Sequence, residues 1–231
     1  MTDNFQNEDP QRILLALSMA AQNVMRARSS EKIYRVIADE IVALGFQAGI
    51  FRLTDDGEYL RIPFLTLDAK LLRSVEKLAG VSVSEYQIPI QVGGLCDQVI
   101  REKRTIFIDD ISVGLLEALP DGGKPRAGKI LKLLNLKQAI YAPLVISGKI
   151  DGVLFIMGNS LVNGNIPAVT MFVNLIATAL ENDRLLEEIR QREIKFRQIS
   201  ENIIDGVVVT IDNRNYWVNP AFAEMFGYSP E

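Results

Sequence analysis

The sequence contains no histidine, and this absence excludes several kinds of catalytic and metal-binding site. Ser-His-Asp and Cys-His catalysis, histidine-ligated haem and most zinc sites each need at least one imidazole. The phosphate-accepting histidine of a two-component kinase is absent as well. If this protein belongs to such a kinase, we expect the kinase core to lie outside this chain.

Cysteine is nearly as scarce, since Cys96 is the only one in 231 residues. An intrachain disulfide is therefore impossible, and a reducing compartment, the cytoplasm, is the expected location. Long apolar runs are also lacking, because Gly148, Lys149 and Asp151 interrupt the most apolar stretch, residues 139–158. A membrane-spanning helix needs about 20 uninterrupted apolar residues, so we expect no membrane segment.

Neither sign of charge is in large excess. The net charge of −4 gives no general attraction to nucleic acid or to anionic membranes. With 48% hydrophobic and 23% charged residues, the composition is that of a folded domain. A domain of roughly 150 residues buries enough surface to form a proper core.

Helical and strand patterns alternate along the first two thirds of the chain. Pro10 begins the first helix, Ser30 the second and Asp68 the third. Gly45 is placed to end the second helix and Gly80 to end the third. The predicted helices begin at Pro10, Ser30 and Asp68 and cover 95–103 and 128–134. The predicted strands cover 46–53, 59–67, 86–90 and 105–108, and residues 120–125 are predicted to be a loop.

The strongest strand pattern is a hairpin over residues 139–157 with its turn at Ser147 and Gly148. Its residues are apolar on both faces, with Ile140 pointing one way and Tyr141 the other. A strand that is apolar on both faces is covered on both faces. We therefore predict three layers, with the sheet between helices on one side and helices or loops on the other.

Residues 167–200 contain no helix breaker and predict one long helix. Along it, seam residues recur alternately every three and four positions, as in a parallel coiled coil, in which a polar seam residue can fix the register. We predict a dimeric coil, and a lone surface helix with ion pairs four residues apart is the alternative. The seam consists of Phe172, Leu175, Ala179, Asn182, Leu186, Ile189, Glu193 and Phe196.

After this helix, strands are predicted over 206–211 and 216–218, and Asn219 with Pro220 is predicted to begin a helix. Two strands and one short helix do not close a core. We therefore expect the chain to end inside a domain.

Two parts of the chain resemble known signalling domains. Residues 140–154, IYAPLVISGKIDGVL, resemble the GAF domain, and the helix-then-strand segment 94–110 extends that resemblance to about residues 8–175. The GAF family has a proline at the position of Pro143. Residues 203–212, IIDGVVVTID, followed by VNPAF and FGYSPE, resemble the start of a PAS domain over 200–231.

These resemblances imply an α+β fold in which a GAF-like antiparallel sheet lies between helices, with a long C-terminal helix leading into a partial PAS fold. The implied domains are a GAF-like domain over 1–166, a signalling helix over 167–200 and a truncated PAS-like start over 201–231. The combination resembles the input region of sensor histidine kinases. It implies a homodimer formed through the N-terminal and 167–200 helices, and an output domain downstream in the same polypeptide.

In the GAF family a ligand pocket lies between the sheet and its covering helices and loops, and the resemblance implies such a pocket here. Residues 112–129 would form its lid, and an aromatic pocket with few polar groups suits a small, flat or apolar ligand of unknown identity. The alternative is that these aromatic residues only fill the core. The cyclic-nucleotide signature of the family is not found. The candidate lining residues are Phe51, Tyr86, Cys96, Tyr141 and Phe155.

Cys96 and the segment 123–129 each have a simpler structural interpretation. Cys96 lies on an apolar helix stripe, where a buried cysteine is usually a small hydrophobic residue, and Asp97 follows it where bilin-binding GAF domains have histidine. Residues 123–129 fit the phosphate-binding pattern G-x-x-x-x-G-K. However, Ile130 occupies the position of the magnesium-binding Ser or Thr, and the required strand is missing. A flexible loop is the preferred interpretation.

Asp109 and Asp110 are a further candidate pair, but adjacent strand residues point to opposite faces. We therefore predict that they cap the next helix and its loop. No catalytic or metal site is predicted.

The function predicted from these features is sensing and relay, with a ligand-free dimerisation and spacing element as the alternative. A third possibility on this fold, a free methionine sulfoxide reductase, uses several cysteines, and the single cysteine argues against it.

Overall fold

The computed structural model describes residues 17, 19–20, 22–25, 29–212 and 214–227. The chain divides into two compact units, a first unit that ends at Glu181 and a second unit that begins at Asn182. The start of the helix predicted from Pro10 lies outside the described residues. Farther along, Leu17 and Val24 are helical and buried.

The first unit contains five complete helices and six strands within its described residues, and a sixth helix begins in it. The helices are α1 (Ser30–Ala43), α2 (Ala69–Ala79), α3 (Leu95–Glu102), α4 (Ser112–Ala118), α5 (Ala127–Leu134) and α6 (Ile166–Asn202). The strands are β1 (Gln47–Leu53), β2 (Tyr59–Leu65), β3 (Ile88–Pro89), β4 (Ile106–Ile108), β5 (Gln138–Ile146) and β6 (Lys149–Gly158).

Helix α2 begins and ends at the predicted residues for local reasons. The Asp68 carboxylate accepts hydrogen bonds from the backbone N–H groups of Lys70 and Leu71, both at 2.9 Å. These bonds satisfy N–H groups that have no partner inside the helix. At the other end, Gly80 adopts a left-handed φ of 79°, which glycine tolerates and which stops the helix.

The six strands form one antiparallel sheet in the order β3-β2-β1-β6-β5-β4. The predicted hairpin is β5 and β6, which lie in the interior of the sheet and pair with Tyr141 opposite Phe155. Pro143 is accommodated because β4 pairs only with residues 139–141 of β5, so no strand neighbour faces Pro143 from that side.

The two faces of the sheet pack into different hydrophobic clusters, as the double-sided hairpin predicts. The sheet–helix cluster contains Ile140 and Leu154 together with buried residues of α1 and α6. The cavity-side cluster contains Tyr141 and Phe155 together with residues of α3. The predicted layered α+β fold is therefore confirmed.

A third cluster lies within the layer that covers the cavity-side face. This cover cluster consists of Val75 and Ala79 of α2, Leu119, and Ala127 and Ile130 of α5. The covering helices thus have a small hydrophobic core of their own, in addition to their contacts with the sheet.

The segment 112–129, expected to be the lid of the pocket, is largely regular and includes the first residues of α5. Helix α4 covers Ser112–Ala118, and a 3-10 turn covers Lys124–Arg126. Helix α4 is short and includes Gly114, a poor helix former, so its propensity is weak. Its stability comes from packing, which sequence spacing alone does not reveal.

The second unit contains the end of α6, strands β7 (Val208–Ile211) and β8 (Arg214–Val218), and helix α7 (Pro220–Met225). Asn219 is fully buried and begins α7 as predicted. Its side chain donates to the backbone oxygens of Ser200 and Asp205 at 2.8 and 3.0 Å. It accepts from the backbone N–H groups of Val207 and Phe222 at 2.7 and 2.9 Å. One side chain therefore links the end of α6 to the start of the small sheet and to α7.

Within the described ranges, no helix combines the length and the apolar character needed to cross a lipid bilayer.

The sheet itself supplies a stability prediction at the pairing of β1 with β6. A Cβ atom at Gly152 would lie against the Phe51 carbonyl oxygen and 3.0 Å from Arg52 Cα, both backbone atoms of a neighbouring strand. We expect Gly152→Ala to lower the free energy of unfolding by about 3 kcal/mol or more.

The matched control is Gly128→Ala, because a Cβ at this exposed helical position meets no atom within 4 Å. It should raise the free energy of unfolding by about 0.5 kcal/mol. Urea unfolding of both variants tests the register of β1 against β6. Equal free energies of unfolding for the two variants would contradict that register.

Candidate ligand-binding site

A cavity of about 120 Å³ lies on the cavity-side face of the sheet and is lined by members of both the cavity-side and the cover clusters. Strands β1, β5 and β6 form its floor, and α2, α4 and residues 81–86 contribute to its other walls. The described residues that line it are all uncharged. The hydroxyls of Tyr86 and Tyr141 are the polar side-chain groups among them.

Three aromatic rings on neighbouring strands form the floor. Phe155 lies between the other two, with ring centroids 4.5 Å from Phe51 and 5.7 Å from Tyr141. The order β1-β6-β5 and the two-residue period of strands bring these side chains to one face. All three are buried, so they fill the core and line the cavity at once.

The Tyr141 hydroxyl is the deeper of the two polar groups, and the residue is only 4% exposed. No hydrogen bond to this hydroxyl is found among the described residues. Burial raises the pKa of Tyr141 well above its usual value, and the nearby Cys96 and Glu117 raise it further. The hydroxyl is therefore protonated at any physiological pH.

Gly114 of α4 lies directly over this hydroxyl. A Cβ atom at Gly114 would contact Tyr141 Oη and would lie 2.9 Å from Tyr141 Cζ. Only glycine allows α4 to pass this close to the ring. The same residue that weakens α4 as a helix therefore permits its position over the cavity.

Glu117 of α4 has a role that the sequence did not reveal. Its carboxylate accepts hydrogen bonds from the backbone N–H of Leu95 at 2.7 Å and of Cys96 at 3.4 Å. These N–H groups lie at the amino end of α3, where a negative charge is stabilised by the helix dipole. Glu117 lies 22 positions after Leu95 and 21 after Cys96, so a local capping pattern in the sequence does not predict this contact.

Cys96 lies beside the cavity rather than in its lining. It borders a small adjoining cleft, together with Phe51, Glu117 and Ala118. Burial raises the pKa of the Cys96 thiol to about 12, with a further contribution from the Glu117 carboxylate. The other four predicted lining residues, Phe51, Tyr86, Tyr141 and Phe155, all line the cavity.

At the rim of the cavity, Tyr86 is half-buried near an exposed ion pair. Lys124 Nζ lies 2.8 Å from Asp121 Oδ1. Burial raises the pKa of Tyr86, the Asp121 carboxylate raises it further, and Lys124 acts in the opposite direction. The two tyrosine hydroxyls thus have different surroundings, one enclosed and one close to charged groups.

The remaining candidate motifs have structural roles. In the segment 123–129, Lys124 is paired as described, and Arg126 donates to the backbone oxygens of Leu78 and Gly122 at 3.4 and 3.2 Å. Asp110 accepts a hydrogen bond from the Ser112 N–H at 2.8 Å, next to the start of α4. Over the described residues, no group of three His, Cys, Asp or Glu side chains could hold a metal ion.

The predicted seam of α6 divides between the two units. Phe172 and Ala179 are buried in the sheet–helix cluster, and Leu175 packs against it. Asn182, Leu186, Ile189 and Glu193 are exposed. Phe196 lies in the second unit, where its ring centroid is 5.7 Å from that of Trp217.

Comparison with known families assigns both parts of the chain. The sequence model of the GAF domain family matches residues 27–181, and that of the PAS domain family matches residues 194–231. Both resemblances seen in the sequence are thereby confirmed. No sequence among curated proteins matches the chain.

Solved structures with a similar fold are GAF domains of diverse proteins. The GAF domain from a phosphoenolpyruvate-protein phosphotransferase of Coxiella burnetii is 16% identical, with a TM-score of 0.56 over 78% of this chain and 99% of that one. A free methionine-R-sulfoxide reductase from Neisseria meningitidis, bound to its substrate, is 16% identical, with a TM-score of 0.54 over 79% and 97%.

A third structure is the chromophore-binding domain of a bacteriophytochrome from R. palustris. It is 12% identical, with a TM-score of 0.51 over 79% of this chain and 65% of that one. At these identities the likeness shows the fold alone.

The thiol pKa predicts that Cys96 is unreactive in the folded protein. Only the thiolate reacts with iodoacetamide, and a thiol with a pKa of about 12 is almost entirely protonated at pH 8. Unfolding returns the pKa to about 8.5, so labelling in urea should be at least about 100-fold faster than in buffer. Mass spectrometry of the labelled chain measures both rates, and rapid labelling of the folded protein would contradict the burial.

Proposed function

This chain belongs to the GAF domain family, and we propose that it is the small-molecule-sensing input module of a signal-transduction protein, namely a sensor histidine kinase. A GAF domain followed by a PAS domain indicates a sensory or regulatory signalling module. In this proposal residues 1–166 sense, residues 167–200 relay, and residues 201–231 begin a second sensory domain.

The observation that carries this proposal is the division of the β5–β6 hairpin between its two faces. Tyr141 and Phe155 line the cavity, while their chain neighbours Ile140 and Leu154 belong to the cluster that contains α6. A change in the cavity therefore reaches the helix through one layer of backbone. Packed interiors respond to such a displacement because they contain few voids that could absorb it.

A second contact lies where α6 leaves the first unit. The Ser147 hydroxyl, in the turn between β5 and β6, donates a hydrogen bond to Glu181 Oε1 at 2.7 Å. Glu181 is the last residue of that unit. In the proposed relay, a movement of the hairpin acts on α6 through the buried side chains between residues 168 and 180, and at this turn.

The relay works by a shift between two packings of α6 against the sheet. A ligand changes the balance between them only by the difference in its affinity for the two states. Moving a ratio of 1:99 to 99:1 takes about 5.5 kcal/mol of differential binding. Asn182 and Glu193 are exposed polar seam residues, and in a dimer they would weaken the seam and keep two registers close in energy.

We propose that the exposed part of the seam, from Asn182 onward, pairs with a second copy of the chain. Leu186 and Ile189 are 62% and 61% exposed, although both are large apolar side chains. A parallel dimer would bury these two side chains, and the removal of their apolar surface from water would stabilise it. Leu17 and Val24 of the N-terminal helix are already buried within the first unit, so the proposed contact relies chiefly on α6.

The proposal assigns no catalytic step to this chain. GAF and PAS domains are sensory domains, although one structural neighbour is a reductase. The only cysteine here, Cys96, is half-buried, and its raised pKa keeps the thiol protonated. We place the kinase output downstream in the same polypeptide and the protein in the cytoplasm, in keeping with the lack of histidine and of paired cysteines.

Ligand binding is tested by thermal unfolding in the presence of small neutral metabolites. A ligand present at roughly 100-fold above its Kd should raise the Tm by about 5 °C. Ala118→Leu adds side-chain volume in the cavity lining and should abolish that rise. Ala43→Leu, the same change at an exposed position, should retain it.

The outcome also separates sensing from the ligand-free alternative. If no compound in a broad screen binds the unaltered chain, as judged by Tm and by native mass spectrometry, the GAF-like unit is better described as a dimerisation and spacing element.

The dimer is tested by placing charge in the seam. Leu186→Arg combined with Ile189→Arg should raise the Kd of the dimer by about 10-fold or more, because like charges would face each other across the interface. The Tm of the first unit should not change, since these side chains are exposed.

Gln191→Arg combined with Gln198→Arg adds the same charge at exposed positions outside the seam, and the dimer should persist. Sedimentation equilibrium measures both variants. A chain that stays monomeric at every concentration would refute the proposed coil.

A further inference from the structure

We infer, on the premise that the proposed cavity binds a ligand, that this ligand is a neutral molecule about the size of one aromatic ring. It would carry a single polar group that hydrogen-bonds to the Tyr141 hydroxyl. The chemical class follows from four features of the cavity: its size, its aromatic floor, its lack of charge and its enclosed hydroxyl.

Size sets the first limit. The cavity measures about 120 Å³. An apolar protein cavity of about 150 Å³ stays dry and takes up benzene. A single six-membered ring is therefore the scale of occupant that fits without rearrangement of α4, whereas a tetrapyrrole or a nucleotide is far too large for this conformation.

The floor favours a flat occupant. The rings of Phe51, Phe155 and Tyr141 are neighbours, with interplanar angles of 35° and 27° between Phe155 and the other two. Aromatic pairs gain energy in offset-stacked and tilted arrangements at centroid separations of about 4.5–7 Å. A planar ring placed against this floor would make such contacts, and a branched aliphatic chain would not.

The absence of positive charge argues against an anion. No lysine or arginine is among the described residues that line the cavity, and the Glu117 carboxylate is close enough to Tyr141 to raise the pKa of its hydroxyl. An anion would therefore be buried without a partner and next to a like charge, which is strongly unfavourable. A cation gains little, because the Glu117 carboxylate already accepts from the backbone N–H groups of α3.

The Tyr141 hydroxyl supplies the polar contact. It belongs to a residue that is more than nine-tenths buried, and among the described residues nothing hydrogen-bonds to it. A hydroxyl that borders an apolar cavity and has no partner among the described residues can form one hydrogen bond with a ligand that carries a donor or acceptor. Gly114 lets the α4 backbone lie against the Tyr141 ring without a side chain that would collide with the hydroxyl.

Phenol and toluene are the probes, because they differ only by a hydroxyl in place of a methyl group. Their Kd values would be measured by calorimetry for the unaltered chain and for Tyr141→Phe. Toluene should bind both proteins equally, within about two-fold, while Tyr141→Phe should weaken phenol binding by about 5- to 10-fold, the effect of one hydrogen bond. For each protein, the ratio of the phenol Kd to the toluene Kd cancels any effect of the substitution on the size or shape of the cavity.

Tyr86→Phe is the matched control, since it removes a hydroxyl at the rim of the same cavity. It should leave the phenol-to-toluene ratio unchanged. Benzoate, the anionic relative of these probes, should not bind the unaltered chain at a concentration at which phenol does.

The outcomes separate this inference from the function on which it depends. If toluene binds but Tyr141→Phe leaves the ratio unchanged, or if Tyr86→Phe changes it, the anchor is wrong and the cavity remains a binding site. If benzoate binds more tightly than phenol, the neutral class is wrong. If neither phenol nor toluene binds while another compound of the screen does, the ring-sized neutral class is wrong and the cavity remains a binding site; if no compound of the screen binds either, the proposed sensing function fails as well.

Discussion

The structure of the first unit depends on one constraint, which is that the β5–β6 hairpin is apolar on both faces. Neither face can be left in contact with water, so helices must cover both. Helices α1 and α6 pack over the face that carries Ile140. The other face, which carries Tyr141, is covered by a layer with a small core of its own. Because strand residues alternate between faces, every change at one face is at most one residue away from the other.

The cavity is a consequence of how the second cover is built. The side chains of the cover cluster pack against one another, and those of the cavity-side cluster pack on the sheet. The cavity is the space that remains between these two clusters, and residues of both line it. Gly114 allows close contact at one point, against the Tyr141 ring, and Glu117 links α4 to the amino end of α3. A chain selected only for stability would gain by filling such a space. Its apolar lining, and a hydroxyl to which no described residue hydrogen-bonds, are instead features that a bound molecule would use.

Much of this could be predicted from the sequence, because alternation and turn chemistry are local. The hairpin pattern predicted the layers, Asp68 and Gly80 delimited α2, and the resemblance to the GAF family implied a pocket lined by Phe51, Tyr141 and Phe155. What could not be predicted depends on tertiary contacts. Helix α4 has weak propensity, and Glu117 caps a helix from 22 residues away. The seam shows the same limit, since heptad spacing does not distinguish Phe172, which packs on its own sheet, from Leu186, which is exposed.

The central claim is that occupation of the cavity changes the packing of α6 on the opposite face of the sheet. Hydrogen–deuterium exchange with and without saturating phenol tests it directly, because backbone amides report local opening segment by segment. The account predicts that protection changes in residues 168–181 of α6 as well as in α2 and α4. A change confined to α2 and α4, with phenol bound and α6 unaffected, would contradict it.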